Sequence, residues 1–144
     1  MDQIKFSCRI SNSDPDCPLG AEIWLDDAKI FDQSHVQNDV DFDYSFDDVE
    51  SDHELRFVLK NKPTDYTQLD ENSQITRDAV LRITDIAFDE IKLGNMISQQ
   101  ARYCHDYNGN SSVQEHKFYD DMGCNGTVSF KFSTPMYLWL LEHM

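Results

Sequence analysis

The sequence is poor in positive charge, in glycine and proline, and in long apolar runs. Its 12 Lys and Arg stand against 27 Asp and Glu, a formal net charge of −15. Phosphate-rich surfaces repel such a chain, which excludes sequence-independent binding to nucleic acid or anionic lipid. No apolar stretch approaches the roughly 18 residues of a membrane helix, so no membrane insertion is expected. With five Gly and four Pro among 144 residues there is no low-complexity linker, and no internal repeat is visible, so one domain spanning residues 1–144 is expected. Met1 to Phe6 lacks a basic and then apolar leader, so the expectation is a chain made in a cytoplasm without a signal peptide. In that setting Cys8, Cys17, Cys104 and Cys124 read as free thiols, a Cys8–Cys17 bridge being the alternative.

What the sequence does have is two-residue alternation. In Val40-Asp41-Phe42-Asp43-Tyr44-Ser45-Phe46-Asp47 the apolar residues fall on one face and the acids on the other. This is the pattern of a half-buried strand with a solvated acidic face that blocks edge pairing. Residues 4–10 alternate as well. Residues 22–31 read as a hairpin about Asp26-Asp27, and 53–59 carry Leu55, Phe57 and Leu59 inward. Residues 80–93 read as one long or bent strand broken near Asp85, with further strands over 102–107 and 128–132. Residues 136–141 are apolar on both faces, and periodicity does not choose between a buried strand and a short helix. A short helix fits 95–101 or 113–121. Two long polar loops, 61–78 and 106–126, exceed the length of ordinary connections. The fold class expected is all-β: a jelly-roll-type antiparallel β-sandwich with long loops and at most one or two short helices.

Chemistry is sought in the loops. Asp106, Asn108 and Asn110 place side-chain oxygens at alternate positions, as in the first half of an EF-hand calcium loop. Ser111 and Lys117 stand where that loop has Gly and a bidentate Glu; the alternative is an Asx-rich turn. Cys104, His105, His116 and Cys124 are zinc-type ligands without a compact zinc spacing. Trp24, Tyr66, Tyr103, Tyr107, Tyr119 and Trp139 are potential sugar-stacking rings. Trp24 and Trp139 lie in apolar runs and read as core, whereas Tyr66 and Tyr107 lie in the polar loops and are the ligand-binding candidates. No pair of carboxylates is singled out for catalysis, so a non-enzymatic protein is expected.

Residues 20–94 resemble the calcium-dependent, xylan-binding type of carbohydrate-binding module. The resemblance is carried by Ala21-Glu22-Ile23-Trp24-Leu25-Asp26-Asp27, by His53-Glu54-Leu55-Arg56-Phe57-Val58-Leu59-Lys60-Asn61, and by Asp78-Ala79-Val80-Leu81-Arg82-Ile83-Thr84-Asp85-Ile86. It implies a jelly-roll sandwich with loop-borne calcium that helps bind sugar hydroxyls. Asn61 and Asp78 match the family pattern directly, while Lys62 stands where an Asp would follow and Asp85 falls one residue late. The metal candidates are therefore Asn61, Asp78, Asp106, Asn108 and Asn110. The chain is also similar to small virion proteins of large tailed phages of marine cyanobacteria. That likeness implies a module at the virion surface or tail, in multiple copies, binding a polysaccharide or cell-surface glycan. The alternative is a structural decoration or connector whose surfaces meet other virion proteins, with the apolar C-terminal segment as docking element.

Overall fold

The computed structural model describes residues 2–63, 66, 68–106 and 112–143, the side chain of Thr76 excepted. The strands are β1 (Gln3–Asn12), β2 (Gly20–Leu25), β3 (Ala28–Gln33), β4 (Val40–Asp47), β5 (Ser51–Lys60), β6 (Gln68–Leu69), β7 (Ile75–Arg77), β8 (Leu81–Phe88), β9 (Ile91–Lys92), β10 (Arg102–His105), β11 (Gln114–Lys117), β12 (Asp121–Met122) and β13 (Gly126–Thr134). Two short helices, α1 (Asn95–Gln100) and α2 (Met136–His143), complete the described elements. One sheet runs β12-β8-β1-β4, with β9 also paired to β8; the other runs β11-β10-β13-β5-β2-β3; β6 and β7 form a separate ribbon. Every pairing is antiparallel. The chain crosses between the sheets at most connections, as in a jelly roll. The expected all-β antiparallel sandwich with two short helices is what forms.

Alternation makes the core. Ile4, Phe6, Cys8 and Ile10 of β1 and Leu55, Phe57 and Leu59 of β5 are buried, as are Val128, Phe130 and Phe132 of β13. Rings from the two sheets meet across the middle: Phe6 and Phe57 lie 6.1 Å apart, and Phe88 and Phe132 4.9 Å. Truncating such a ring costs about 3–5 kcal/mol. One sheet is wider than the other, and the helices cover the surplus. Ile97 of α1 is buried, and Trp139 of α2 stands edge-on to Phe130 at 5.4 Å. Asp48 fixes the start of α2 by accepting the Met136 N–H at 2.9 Å, a carboxylate at the positive end of the helix.

The acidic strand β4 is an edge strand, as its alternation suggested. The break near Asp85 is a β-bulge: opposite β1 the register shifts between Ser7 and Arg9, and Asp85 takes φ 54°. Residues 136–141 are helical, and 113–121 carry β11 and β12 in place of a helix. The scarcity of glycine shows in the turns. Asp26, Asn61, Ser73, Asp85, Asp89, Glu90 and Asp120 adopt positive φ, and Gly94 is the one glycine that does so among the described residues. Asp and Asn tolerate this region better than other non-glycine residues. Part of the acidity is thus turn chemistry.

Candidate functional site

Among the described residues, the predicted metal candidates Asn61, Asp78 and Asp106 lie toward one end of the sandwich. Lys60 at the end of β5, Gly126 at the start of β13 and Gly20 at the start of β2 lie there in register. Asn61 is exposed and donates from Nδ2 to the Ser34 carbonyl at 3.1 Å. Asp78 accepts an ion pair from Lys62 at 2.7 Å. Asp106 is at the same end, since it follows His105, the last residue of β10, which pairs with Gly126. Tyr107, Asn108 and Asn110 lie outside the described residues.

Tyr66 is half-buried and fastened. Its hydroxyl donates to Asp14 Oδ2 at 2.5 Å, Arg77 Nε donates to the same oxygen at 2.9 Å, and the guanidinium covers the ring at 5.3 Å. The Arg77 and Tyr66 hydrogen bonds hold Asp14 below the usual carboxylate range. The bond to Asp14, then burial, pushes the Tyr66 phenol up to about 12. Tyr66 therefore ties its loop to the β1–β2 connection and does not present a free face.

At Asn61 and Asp78 the residues present do not fit a bound calcium. At Asp78 the Lys62 ammonium takes the place such an ion would have: Nζ donates to Asp78 Oδ1 at 2.7 Å, to the Ala79 carbonyl at 2.8 Å and to the Gly123 carbonyl at 2.5 Å, while Asn61 is engaged through Nδ2 with Ser34. Among the described residues no group of three or more His, Cys, Asp or Glu is placed to hold a metal. The four cysteines are free. His105 is buried and stacks on His116 at 4.7 Å, while Cys104 precedes it on the other strand face. Trp139 is core as expected. Trp24 is not: it is half-buried on the outward face of β2, its Nε1–H on Glu22 at 2.8 Å and its ring beside Lys29 and Arg56 at 5.8 and 5.4 Å.

The better-formed site lies beside the bulge of β8. A cleft of about 480 Å³ is lined by Thr84, Asp85 and Ile86 of β8, Lys92 of β9, Gly94, Asn95, Ile97 and Ser98 around α1, and Phe118, Tyr119 and Asp120 before β12. Ile86, Ile97 and Phe118 are buried and supply an apolar floor, and Tyr119 is 66% exposed at the rim. Such a volume, apolar at the base with a few polar groups around it, is the usual form of a small-ligand site. Three lining residues, Asp85, Gly94 and Asp120, take positive φ (54°, 54° and 73°). Unusual backbone held in place by its surroundings concentrates at ligand sites. The Asp120 carboxyl is raised above its ordinary value by burial first, then by Asp121 and Asp85. Lys92 Nζ stands 3.5 Å from Asp85 Oδ1.

Sequence reasoning named Tyr119 among the stacking rings and weighed Asp85 only as a displaced match to a calcium-ligand pattern, but passed over Asn95, Ser98 and Asp120 as ligand groups. The available signal was the run Tyr119-Asp120-Asp121 in a loop; its pairing with residues 84–98 is tertiary. Comparison with protein-family models, with curated proteins and with solved structures finds no match to this chain.

Proposed function

We propose that this chain is a non-enzymatic carbohydrate-binding module that takes a neutral polysaccharide in the cleft beside the β8 bulge. The observation that carries this reading is the exposed Tyr119 at the rim of a cleft edged by the carboxyls of Asp85 and Asp120, the Asn95 amide, the Thr84 and Ser98 hydroxyls and the Lys92 ammonium. A ring packs on the apolar face of a pyranose, and carboxylates and amides accept and donate to its hydroxyls. The net charge of −15 and the two carboxylates disfavour an anionic glycan. The resemblance to xylan-binding modules points to the same ligand class. Carried in several copies on a virion surface or tail, as the phage likeness implies, a weak single-site affinity would be raised by avidity.

The test is retention in native affinity gels containing xylan or another neutral polysaccharide, followed by titration calorimetry with oligosaccharides. Tyr119→Ala should weaken binding about tenfold, the equivalent of ~1.4 kcal/mol of ring contact, with an unchanged melting temperature. Equal retention of the variant and the parent chain would remove the cleft as the site.

A structural role is the second reading, favoured by the outer face of α2. Tyr137, Leu138 and Leu141 are 51%, 59% and 71% exposed, while Met136, Trp139 and Leu140 are core. A groove of about 560 Å³ beside them is edged by Glu50, Asp52 and Glu142, which suits a partner segment with apolar and basic residues. No retention on any neutral polysaccharide, together with capture of a virion protein that Leu138→Lys abolishes, would favour this reading over the first.

A further inference from the structure

The sandwich contains an internal cation at its loop end. Lys62 is 3% exposed, and its side chain 1%. An ammonium has three protons and no acceptor, and all three protons are taken: by Asp78 Oδ1, the Ala79 carbonyl and the Gly123 carbonyl, at 2.7, 2.8 and 2.5 Å. The main chain at Lys62 is held too. Its N–H donates to Asn125 Oδ1 at 3.0 Å, and Asn125 Nδ2 donates back to its carbonyl at 2.8 Å. Three chain segments meet on this one residue: the exit of β5, residues 78–79 ahead of β8, and residues 123–125 ahead of β13. They belong to both sheets.

A carboxylate and two main-chain carbonyls converging on a point from separate segments form an oxygen cage of the kind hard cations occupy. Here the point is filled by an ammonium tethered to the chain. We infer that the Lys62 ammonium does the work of a bound metal ion, cross-linking the loop end from within, so that this end of the sandwich assembles without calcium. The inference goes beyond the glycan-binding reading and does not rest on it: the cleft lies along β8 and α1, away from Lys62.

Thermal unfolding of the full chain tests it. The melting temperature should be the same in millimolar calcium chloride and in EDTA. Lys62→Met keeps the stem and removes the charge, and with it the three Nζ hydrogen bonds to Asp78 Oδ1 and the Ala79 and Gly123 carbonyls. It should melt roughly 10 °C lower, the scale expected for breaking a buried ion pair in a chain of this size. In Lys62→Ala, n-propylammonium should restore part of the loss and n-propanol should not, because only the former returns the cation. A calcium-dependent rise in the parent chain, a Lys62→Met variant as stable as the parent, or equal rescue by alcohol and ammonium would each overturn the inference. Should Lys62→Ala fail to fold, the Lys62→Met melting temperature, together with the calcium and EDTA comparison on the parent chain, still decides. Glycan retention in EDTA is a separate readout, so failure of the binding proposal is distinguishable from failure of this one.

Discussion

If the cleft binds glycan as proposed, Asp120 stands where stability and ligand binding pull in opposite directions. It adopts φ 73° at the cleft edge, and burial, then Asp121 and Asp85, raise its carboxyl above the ordinary value. A carboxyl whose folded pKa is raised binds its proton more tightly in the folded state. The charged form therefore costs stability at pH values above the folded pKa, and the cost fades as pH falls below the unfolded value. Asp120→Asn removes the charge and keeps a side chain that tolerates left-handed backbone. It should raise the melting temperature at pH 7, with the gain shrinking toward pH 3, while weakening oligosaccharide binding by calorimetry. A residue that served the fold alone would show no loss of binding. The pattern expected is that of functional groups held at the expense of stability.

Among the elements, β10 shows how closely the wider sheet is built. Gly126 opens β13 opposite His105, and a Cβ there would stand 2.3 Å from the Cys104 carbonyl oxygen and 2.8 Å from the His105 Cβ. Gly126→Ala must push β10 away from β13, at a cost of about 1–3 kcal/mol. The expected outcome is a lower urea midpoint and faster amide exchange in β10 and β11 than in β5. Elements of this kind differ in how legible they are. β4 and β5 could be read because each turns one apolar face to the core, buried in β5 and half-buried at Val40, Phe42 and Phe46 of β4, which makes the side-chain period visible. β11 could not, because its residues Gln114, Glu115, His116 and Lys117 are exposed or half-exposed on both faces and leave no alternation to find. The C-terminal segment was ambiguous because periodicity does not separate a short apolar helix from a buried strand. The cleft was illegible for another reason: its walls come from residues 84–98 and 118–120, brought together by the pairing of β12 with β8 and the Ile83 N–H donating to the Asp120 carbonyl at 2.9 Å. Lys62 was noticed as a departure from a calcium-binding pattern, but nothing local in the sequence says that its amine turns inward.

Across the whole molecule the acidic charge is divided among roles. Some takes left-handed backbone, in turns at Asp26 and Asp89, at the β8 bulge at Asp85 and at a bend at Asp120. Some caps or pairs, as Asp48 does at α2 and Asp78 at Lys62. The largest exposed share on one element is the face of β4, where Asp41, Asp43 and Asp47 point away from the core along an edge strand. An edge strand leaves a row of N–H and C=O groups ready to pair with another chain, and charge along it keeps a second edge away. Replacing these three acids by Thr keeps strand propensity and removes the repulsion. The variant Asp41→Thr, Asp43→Thr, Asp47→Thr should fold as the parent does but associate through β4, its light-scattering mass rising with concentration over a range where the parent's does not. The control is Glu71→Gln, Glu90→Gln, Glu142→Gln, which removes the same charge from exposed positions off β4. If net charge alone kept copies apart, both variants would associate equally. If the placement of the acids matters, only the β4 variant does, and added salt should promote association of the parent and of the control alike, because both still carry the edge charges that salt screens.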